Sequence, residues 1–364
     1  MIIRSLELSD FRNYKSLEMT FSQGTNILYG DNAQGKTNIL EAIFVSGTTK
    51  SHKGSKDREI IRLGTDESHI RTYVEKNDIE HKIDMHLKKN KTKGIAIDGI
   101  PIRKSSELIG LMNVVFFSPE DLSIIKNGPG ERRRFIDMEL CQLDKVYLHN
   151  LSKYNKIIIQ RNNLLKQIGF KRELLDTLNI WDEQLLLYGT RIIAAREKFI
   201  SELNEMIYGI HKMLSGGKEE LVMQYEPNVK EADFEKRLKE SRERDLQLKM
   251  TGAGPHRDDI SFMIRKIDIR KFGSQGQQRT TALSLKLAEI EMVKRVVNDK
   301  PILLLDDVLS ELDRNRQNYL LDNINDIQTI ITCTGLEEFI NNRITIDQVY
   351  KVVEGTVINH SIGG

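Results

Sequence analysis

The stretch Gly30-Asp31-Asn32-Ala33-Gln34-Gly35-Lys36-Thr37, followed by Asn38, decides how this chain is read. It satisfies G-x-x-x-x-G-K-[ST] at every fixed position. Its glycines let the backbone curl so that successive N–H groups converge on an anion. In such a loop Lys36 reaches the β- and γ-phosphates of a nucleotide, and the Thr37 hydroxyl ligates Mg²⁺. The flanks agree. Asn26-Ile27-Leu28-Tyr29 reads as a strand directly before the loop, and residues 38–45 read as a helix directly after it, whose N-terminal dipole adds to the phosphate site. The implied cofactors are ATP and Mg²⁺.

Working outward, Pro301-Ile302-Leu303-Leu304-Leu305 is a short apolar run ending in Asp306-Asp307. A buried strand closed by an acidic pair is the Walker B arrangement, with Asp306 holding Mg²⁺ through water and Asp307 orienting or deprotonating the attacking water. By itself such a run also fits a loop start or a helix cap; the P-loop upstream makes the pair meaningful. Gly273-Ser274-Gln275-Gly276-Gln277-Gln278-Arg279 stands before a helical stretch at 280–297. Ser274, Gln275, Gly276 and Gln277 there form either an anion site at a helix start, in a stretch that resembles the ABC signature and so would serve a nucleotide held by a second subunit, or a plain N-cap. Ser310-Glu311-Leu312-Asp313 follows Walker B where a D-loop would stand, with Ser310 and Asp313 as its polar members; it too reads as a capping sequence when taken alone. Thr332-Cys333-Thr334, at the end of the next strand, occupies a switch position without a histidine, where a threonine stands instead.

The remainder of the chain bounds the answer. Among 364 residues, 39% are hydrophobic and 30% charged, and 55 Lys plus Arg balance 53 Asp plus Glu to a net +2. That composition is globular, and near-neutrality neither predicts nor excludes nucleic acid, which needs only a local patch. Cys141 and Cys333 are far apart and in no paired motif, which argues for a reducing compartment and against a disulfide framework or a zinc site. No apolar run approaches the length of a membrane span, and no signal peptide is evident, so no membrane partner and a cytoplasmic location are expected. Strands are expected at 70–74, 79–87, 113–117 and 328–334, and a loop at 48–58. From 144 to 213 apolar residues recur at helical spacing on faces marked by Tyr147, Leu151, Tyr154 and Ile158, then Leu185, Tyr188, Ile192 and Phe199. A break near 169–172 would fold two helices of at most about 27 residues, roughly 40 Å, into a hairpin. Residues 215–250 are charged and poorly patterned.

P-loop, signature, Walker B and D-loop, in this order, resemble the ABC ATPase superfamily. Finer blocks resemble its RecF family, a group of bacterial DNA-repair proteins related to SMC heads: Leu8-Ser9-Asp10-Phe11-Arg12-Asn13-Tyr14, Phe117-Ser118-Pro119-Glu120-Asp121, Gly128-Pro129-Gly130-Glu131-Arg132-Arg133-Arg134, and Gly254-Pro255-His256-Arg257-Asp258-Asp259. The resemblance covers most of the chain and is weakest over 145–250. It implies an α/β fold, an ABC-type ATPase head of mixed β-sheets with helices plus a short helical arm. The arm is placed at 143–250, between an N-terminal head segment at 1–142 and a C-terminal one at 251–364. It also implies a weak, DNA-stimulated ATPase that forms an ATP-dependent homodimer, binds duplex DNA and gap junctions, and acts with RecR and RecO in recombinase loading, DNA replication and the SOS response. Under that resemblance Lys53, Lys56 and Arg58, with Lys50, form one candidate DNA patch, and Arg132 and Arg133, with Arg134, another. Surface charges or helix salt bridges account for the same residues without DNA. The departure is Asp307 where many ABC ATPases have glutamate, which fits slow hydrolysis. The alternatives are an SMC- or ABC-type ATPase of structural or transport-associated role, against which the missing switch histidine and the short arm count, and a monomeric P-loop kinase, which needs neither signature nor D-loop.

Overall fold

Alternation along residues 2–20 and 67–97 builds a half-buried antiparallel sheet, and largely buried runs such as 25–29, 302–306 and 329–333 build a covered parallel one. The computed structural model describes residues 1–336 and 345–360. The chain forms two units, one of Met1–Asp121 with Glu289–Gly364 and one of Leu122–Ala288. The first unit opens with β1 (Ile2–Phe11), β2 (Tyr14–Thr20) and β3 (Thr25–Tyr29), then α1 (Lys36–Thr48) and α2 (Asp57–Ile60). It continues with β4 (Glu67–Lys76), β5 (Ile79–Lys88), β6 (Gly94–Ile97), β7 (Ile100–Pro101) and β8 (Val114–Phe117). An antiparallel sheet has the order β2-β1-β4-β5-β6-β7. On β4 the residues Ser68, Ile70, Thr72 and Val74 face the core, while Glu67 and His69 face solvent, as the two-residue period of a strand requires. The loop expected at 48–58 is shorter than read: α1 runs through Thr48 and Arg58 lies in α2. Helix α1 extends this far because Ile43, Phe44, Val45 and Ser46 are all buried.

The second unit is α3 (Leu122–Lys126), α4 (Pro129–Leu143), α5 (Lys145–Ile168), α6 (Leu178–Leu214), β9 (Leu221–Glu226), α7 (Phe234–Glu240), α8 (Arg242–Leu248), β10 (Asp259–Ile264), β11 (Ile267–Asp268), α9 (Ile269–Phe272) and the start of α10 (Gln275–Val297). Asp144 caps α5 by accepting the Val146 and Tyr147 N–H groups. The break at Gly169 turns the chain, through a 3₁₀ segment at Arg172–Thr177, into α6. With 37 residues, α6 is longer than the sequence suggested, about 55 Å. The reason is a buried seam that carries polar residues: Asp182, Arg196 and His211 lie on it beside Leu185, Gly189 and Ile192, and Arg161 faces them from α5. Ile157 and Gly189 hold the places expected of Ile158 and Tyr188. Arg161, fully buried, donates to Asp182 and Asp245, each at 2.7 Å, and to Thr251 at 2.9 Å. Residues 215–250, poorly patterned in sequence, hold a strand that pairs with β10 in a three-stranded sheet, order β11-β10-β9.

The chain then returns to the first unit through α10 and adds β12 (Ile302–Asp306), α11 (Arg314–Ile324), β13 (Thr329–Cys333), β14 (Ile346–Val353) and β15 (Thr356–His360). These form a second sheet, order β15-β14-β3-β13-β12-β8, in which every pairing but β14 with β15 is parallel. β12 and β13 are buried at every position, as expected of strands covered on both faces. β13 lies between β3 and β12, so the register sets Thr332 opposite Asp306 on one side and Leu28 on the other. The carboxyl ends of these strands share one edge, where open α/β sheets hold their ligands.

Candidate nucleotide-binding site

The loop between β3 and α1 closes over that edge. Gly30 and Gly35 take φ of 149° and 113°, and Ala33 takes 65°. A Cβ on Gly30 would stand 2.3 Å from the Val352 carbonyl oxygen, and one on Gly35 would stand 2.7 Å from the Tyr14 hydroxyl, so neither position accepts a side chain. Gly35 is also the N-cap of α1, which has no side-chain cap and no acidic residue in its first turn. The orphan N–H groups of that turn are left for an anion. The buried Lys36 ammonium lies along the loop, donating to the carbonyls of Gly30 at 2.7 Å and Asp31 at 2.9 Å. Asn32 and Gln34 lie in the same loop, with the Gln34 carbonyl accepting from the Asn13 side chain and the Gly355 N–H. Asn38, in the first turn of α1, donates to the Asn13 side chain.

Below the loop, the Thr37 hydroxyl donates to Asp306 Oδ1 at 2.8 Å. Two oxygens bound side by side to an octahedral Mg²⁺ at 2.0–2.1 Å lie about 2.9 Å apart. The spacing is of that order, and Thr37, with Asp306 acting through water, would hold the ion once their mutual hydrogen bond gives way. Thr332 Oγ1 donates to the same Asp306 oxygen at 2.8 Å and accepts the Asp307 N–H at 3.0 Å. Asp307 has φ of 52°, the left-handed region that side-chain-bearing residues seldom occupy. Burial raises its pKa, Lys36 works the other way, and Asp306 adds to the rise. A half-buried carboxylate of raised basicity is suited to taking a proton. Ser310 folds back to donate to the Asp307 carbonyl at 2.8 Å, and Asp313 caps α11 by accepting the Asn315 and Arg316 N–H groups.

The β1–β2 turn is a contributor that pattern reading did not assign. Tyr14 donates to the Gly35 carbonyl at 3.1 Å. Arg12 makes a two-pronged pair with Glu41 of α1, both bonds at 2.7 Å, and Ser51 donates to the same carboxylate. Burial pushes the Glu41 carboxyl up, but the Arg12 and Ser51 bonds outweigh it and hold the pKa below the usual value. The signal available in sequence was a glutamate within an otherwise apolar helix, which demands a cation from elsewhere.

In the second unit, Ser274 precedes α10 and engages it reciprocally: its N–H donates to the Gln277 side-chain oxygen at 2.9 Å, and its hydroxyl accepts the Gln277 N–H at 3.2 Å. This is capping-box geometry. Ser274, Gln275 and Gly276 remain exposed. Of the candidate DNA residues, Lys53, Lys56 and Arg58 are exposed, as is Lys50. Arg132 is not a surface cation. It is 3% exposed, pairs with Asp259 through two nitrogens, and donates to the carbonyls of Ile124 and Asn127. Arg133 is half-buried and donates to the Asp258 carbonyl at 2.6 Å. Both belong to the packing of α4, which withdraws Arg132 from the second patch and leaves Arg133 little reach into solvent.

A P-loop, an acidic-pair strand one place removed from it in the sheet, and a serine-glycine helix start in one chain define an ABC-type ATPase head. The chain matches the RecF/RecN/SMC N terminal domain family over residues 2–357. It is 69% identical over 357 residues to the DNA replication and repair protein RecF of Lachnoclostridium phytofermentans, covering 98% of this chain and 99% of that protein. A solved structure of the recombination mediator protein RecF with ATP, from the RecFOR pathway, superposes with a TM-score of 0.92 at 36% identity, covering 99% of this chain and 97% of that one. An Smc head bound to the C-terminal winged-helix domain of ScpA shares the fold, with a TM-score of 0.59 at 18% identity, over 100% of this chain and 98% of that one. The chain belongs to the RecF family. Among the described residues no helix is long and apolar enough to cross a membrane.

Proposed function

We propose that this protein is an ATP-dependent DNA-binding switch of recombinational repair and replication maintenance. It acts at single-strand gaps to help load the recombinase, with RecR and RecO as partners. The P-loop amides and Lys36 hold the phosphates, Thr37 and Asp306 hold Mg²⁺, and Asp307 receives the proton of the attacking water. Mg²⁺, when bound, screens the phosphate oxygens and polarises the bond to be broken. Ser274, Gln275, Gly276 and Gln277 serve the nucleotide of a second copy, so ATP joins two chains, and Ser310 and Asp313 lie at that junction. The shorter carboxylate at Asp307 makes hydrolysis a slow release step, which DNA stimulates. Lys53, Lys56 and Arg58 meet the duplex backbone, where each neutralised phosphate releases counterions.

The single observation that carries this reading is the Thr37–Asp306–Thr332–Asp307 chain of hydrogen bonds beneath a P-loop whose helix lacks a cap. The names of the relatives support the repair role. The test is the mass in solution by light scattering, with and without ATP and Mg²⁺, in an Asp307→Asn background that slows hydrolysis. One chain should become two with ATP, and Ser274→Arg should prevent this while ATP still binds. A Ser274→Arg protein that dimerises normally on adding ATP would remove the shared site.

A further inference from the structure

The outward face of β4 and β5 carries a second group of chemistry-bearing side chains, which the nucleotide site does not use. Strand pairing sets His69 directly opposite His86, and the two-residue period sets Glu67 on the same face as His69. The two imidazole rings stack, with centroids 3.9 Å apart and planes inclined by 23°. Glu67 Oε2 lies 2.5 Å from His86 Nε2. One donor atom from each of the three residues lies within 4.8 Å of the others. His69 and His86, with Arg71 and Asp84, line a cavity of about 480 Å³.

We propose that Glu67, His69 and His86 form a binding site for a divalent transition metal, zinc being the ion its donors suit. Two imidazoles and one carboxylate are a borderline nitrogen and oxygen set that prefers zinc, nickel or copper to Mg²⁺ or Ca²⁺. Donors at 2.0–2.2 Å from a tetrahedral ion lie about 3.4 Å apart. Closing on an ion thus asks for side-chain rotation alone, because the ladder already fixes the histidine backbones opposite each other. Lys88 lies 3.0 Å from Glu67 Oε1. Lys88 occupies only one of the two oxygens, and Oε2 is the one turned to His86. Three protein donors leave a fourth position for water or an outside ligand. The donor set differs from the all-oxygen pair at Thr37 and Asp306, so the two sites select different ions.

The test is calorimetric titration of Zn²⁺ into the nucleotide-free full chain. One ion should bind, and His69→Ala and His86→Gln should each weaken it by at least roughly tenfold. The double variant should lose the site, while its circular dichroism and its ATP binding stay as in the parent. Cobalt in place of zinc should give d–d absorption without a thiolate charge-transfer band, which separates this site from Cys141 and Cys333. Failure of the parent to take up equimolar zinc, a double variant with unchanged stoichiometry, or a thiolate band would each overturn the proposal.

Discussion

Thr332→Val removes one oxygen from the site and almost no volume. Thr332 is 1% exposed, and its hydroxyl serves both Asp306, as donor, and the Asp307 N–H, as acceptor. A hydrogen bond to a charged group contributes about 1.5–3 kcal/mol, and an orphaned buried amide costs about 1–3 kcal/mol. Asp307 is also held at φ 52°, a conformation that costs about 1–2 kcal/mol without a tether. The variant should therefore lose on the order of 3 kcal/mol of preference for the observed placement of the two carboxylates. Among the described residues the Thr332 hydroxyl bonds Asp306 and Asp307, while Lys36 bonds the Gly30 and Asp31 carbonyls. Hydrolysis should fall by about two powers of ten, since each 1.36 kcal/mol is a factor of ten in rate. ATP affinity without Mg²⁺ should move by less than about threefold, roughly 0.6 kcal/mol. Phosphate release read beside a fluorescent-nucleotide titration separates the two effects, and Thr332→Ser, which restores the hydroxyl, should recover most of the rate. A valine variant that hydrolyses ATP at the parental rate refutes the argument that Thr332 organises the acidic pair.

Two further outcomes follow from the second unit. His256 bonds the Tyr154 hydroxyl and the Thr251 carbonyl, and burial, aided by the charge of Arg257 against the opposing Thr251 bond, pushes its pKa from 6.5 down to about 4. A depressed folded pKa means that the neutral form is favoured, so its stability is intact above pH 6.5 and is lost as pH falls through 4. The 2.5-unit gap corresponds to on the order of 3 kcal/mol. Urea unfolding at pH 7 and pH 4.5 should show a smaller acid loss in His256→Gln than in the parent, and equal losses would exclude His256 as the cause. Arg161→Met takes the cation from the buried carboxylate of Asp245 and leaves Asp182 with Arg242 alone. Removing one side of a buried ion pair costs about 3–5 kcal/mol, so thermal unfolding should shift well downward, and an unchanged midpoint would show that the carboxylates find another partner.

How much of this was legible in sequence depended on how far apart the cooperating residues lie. The P-loop chemistry is local: glycine spacing, Lys36 and Thr37 follow one another in the chain, and covalent geometry fixes their relation. Walker B is nearly as local once the P-loop gives it meaning, because a short apolar run closed by two aspartates then reads as a covered strand whose acidic end emerges at the sheet edge. β13 between β3 and β12 is what makes Thr332 a partner of Asp306, and no spacing in the sequence states that strand order. The β1–β2 turn was visible as a block of residues, but its contact with Gly35 is long-range, and so is the pairing of Arg12 with Glu41.

The sharpest case is the arginine triplet. Arg132 and the lysines near residue 53 look alike by charge, yet one is core and the others are surface. α4 must bury a face, and Phe135, Ile136, Glu139 and Leu140 define it with Arg132 one turn earlier. A cation on that face is tolerable only with a carboxylate brought to it, and Asp259 arrives from 127 residues away. The rule that separates the two groups is therefore whether apolar residues recur three and four positions from the basic one. Around Lys53 they do not, and Lys56 has only Ile60 four positions on, so those side chains have no such face to bury and stay exposed.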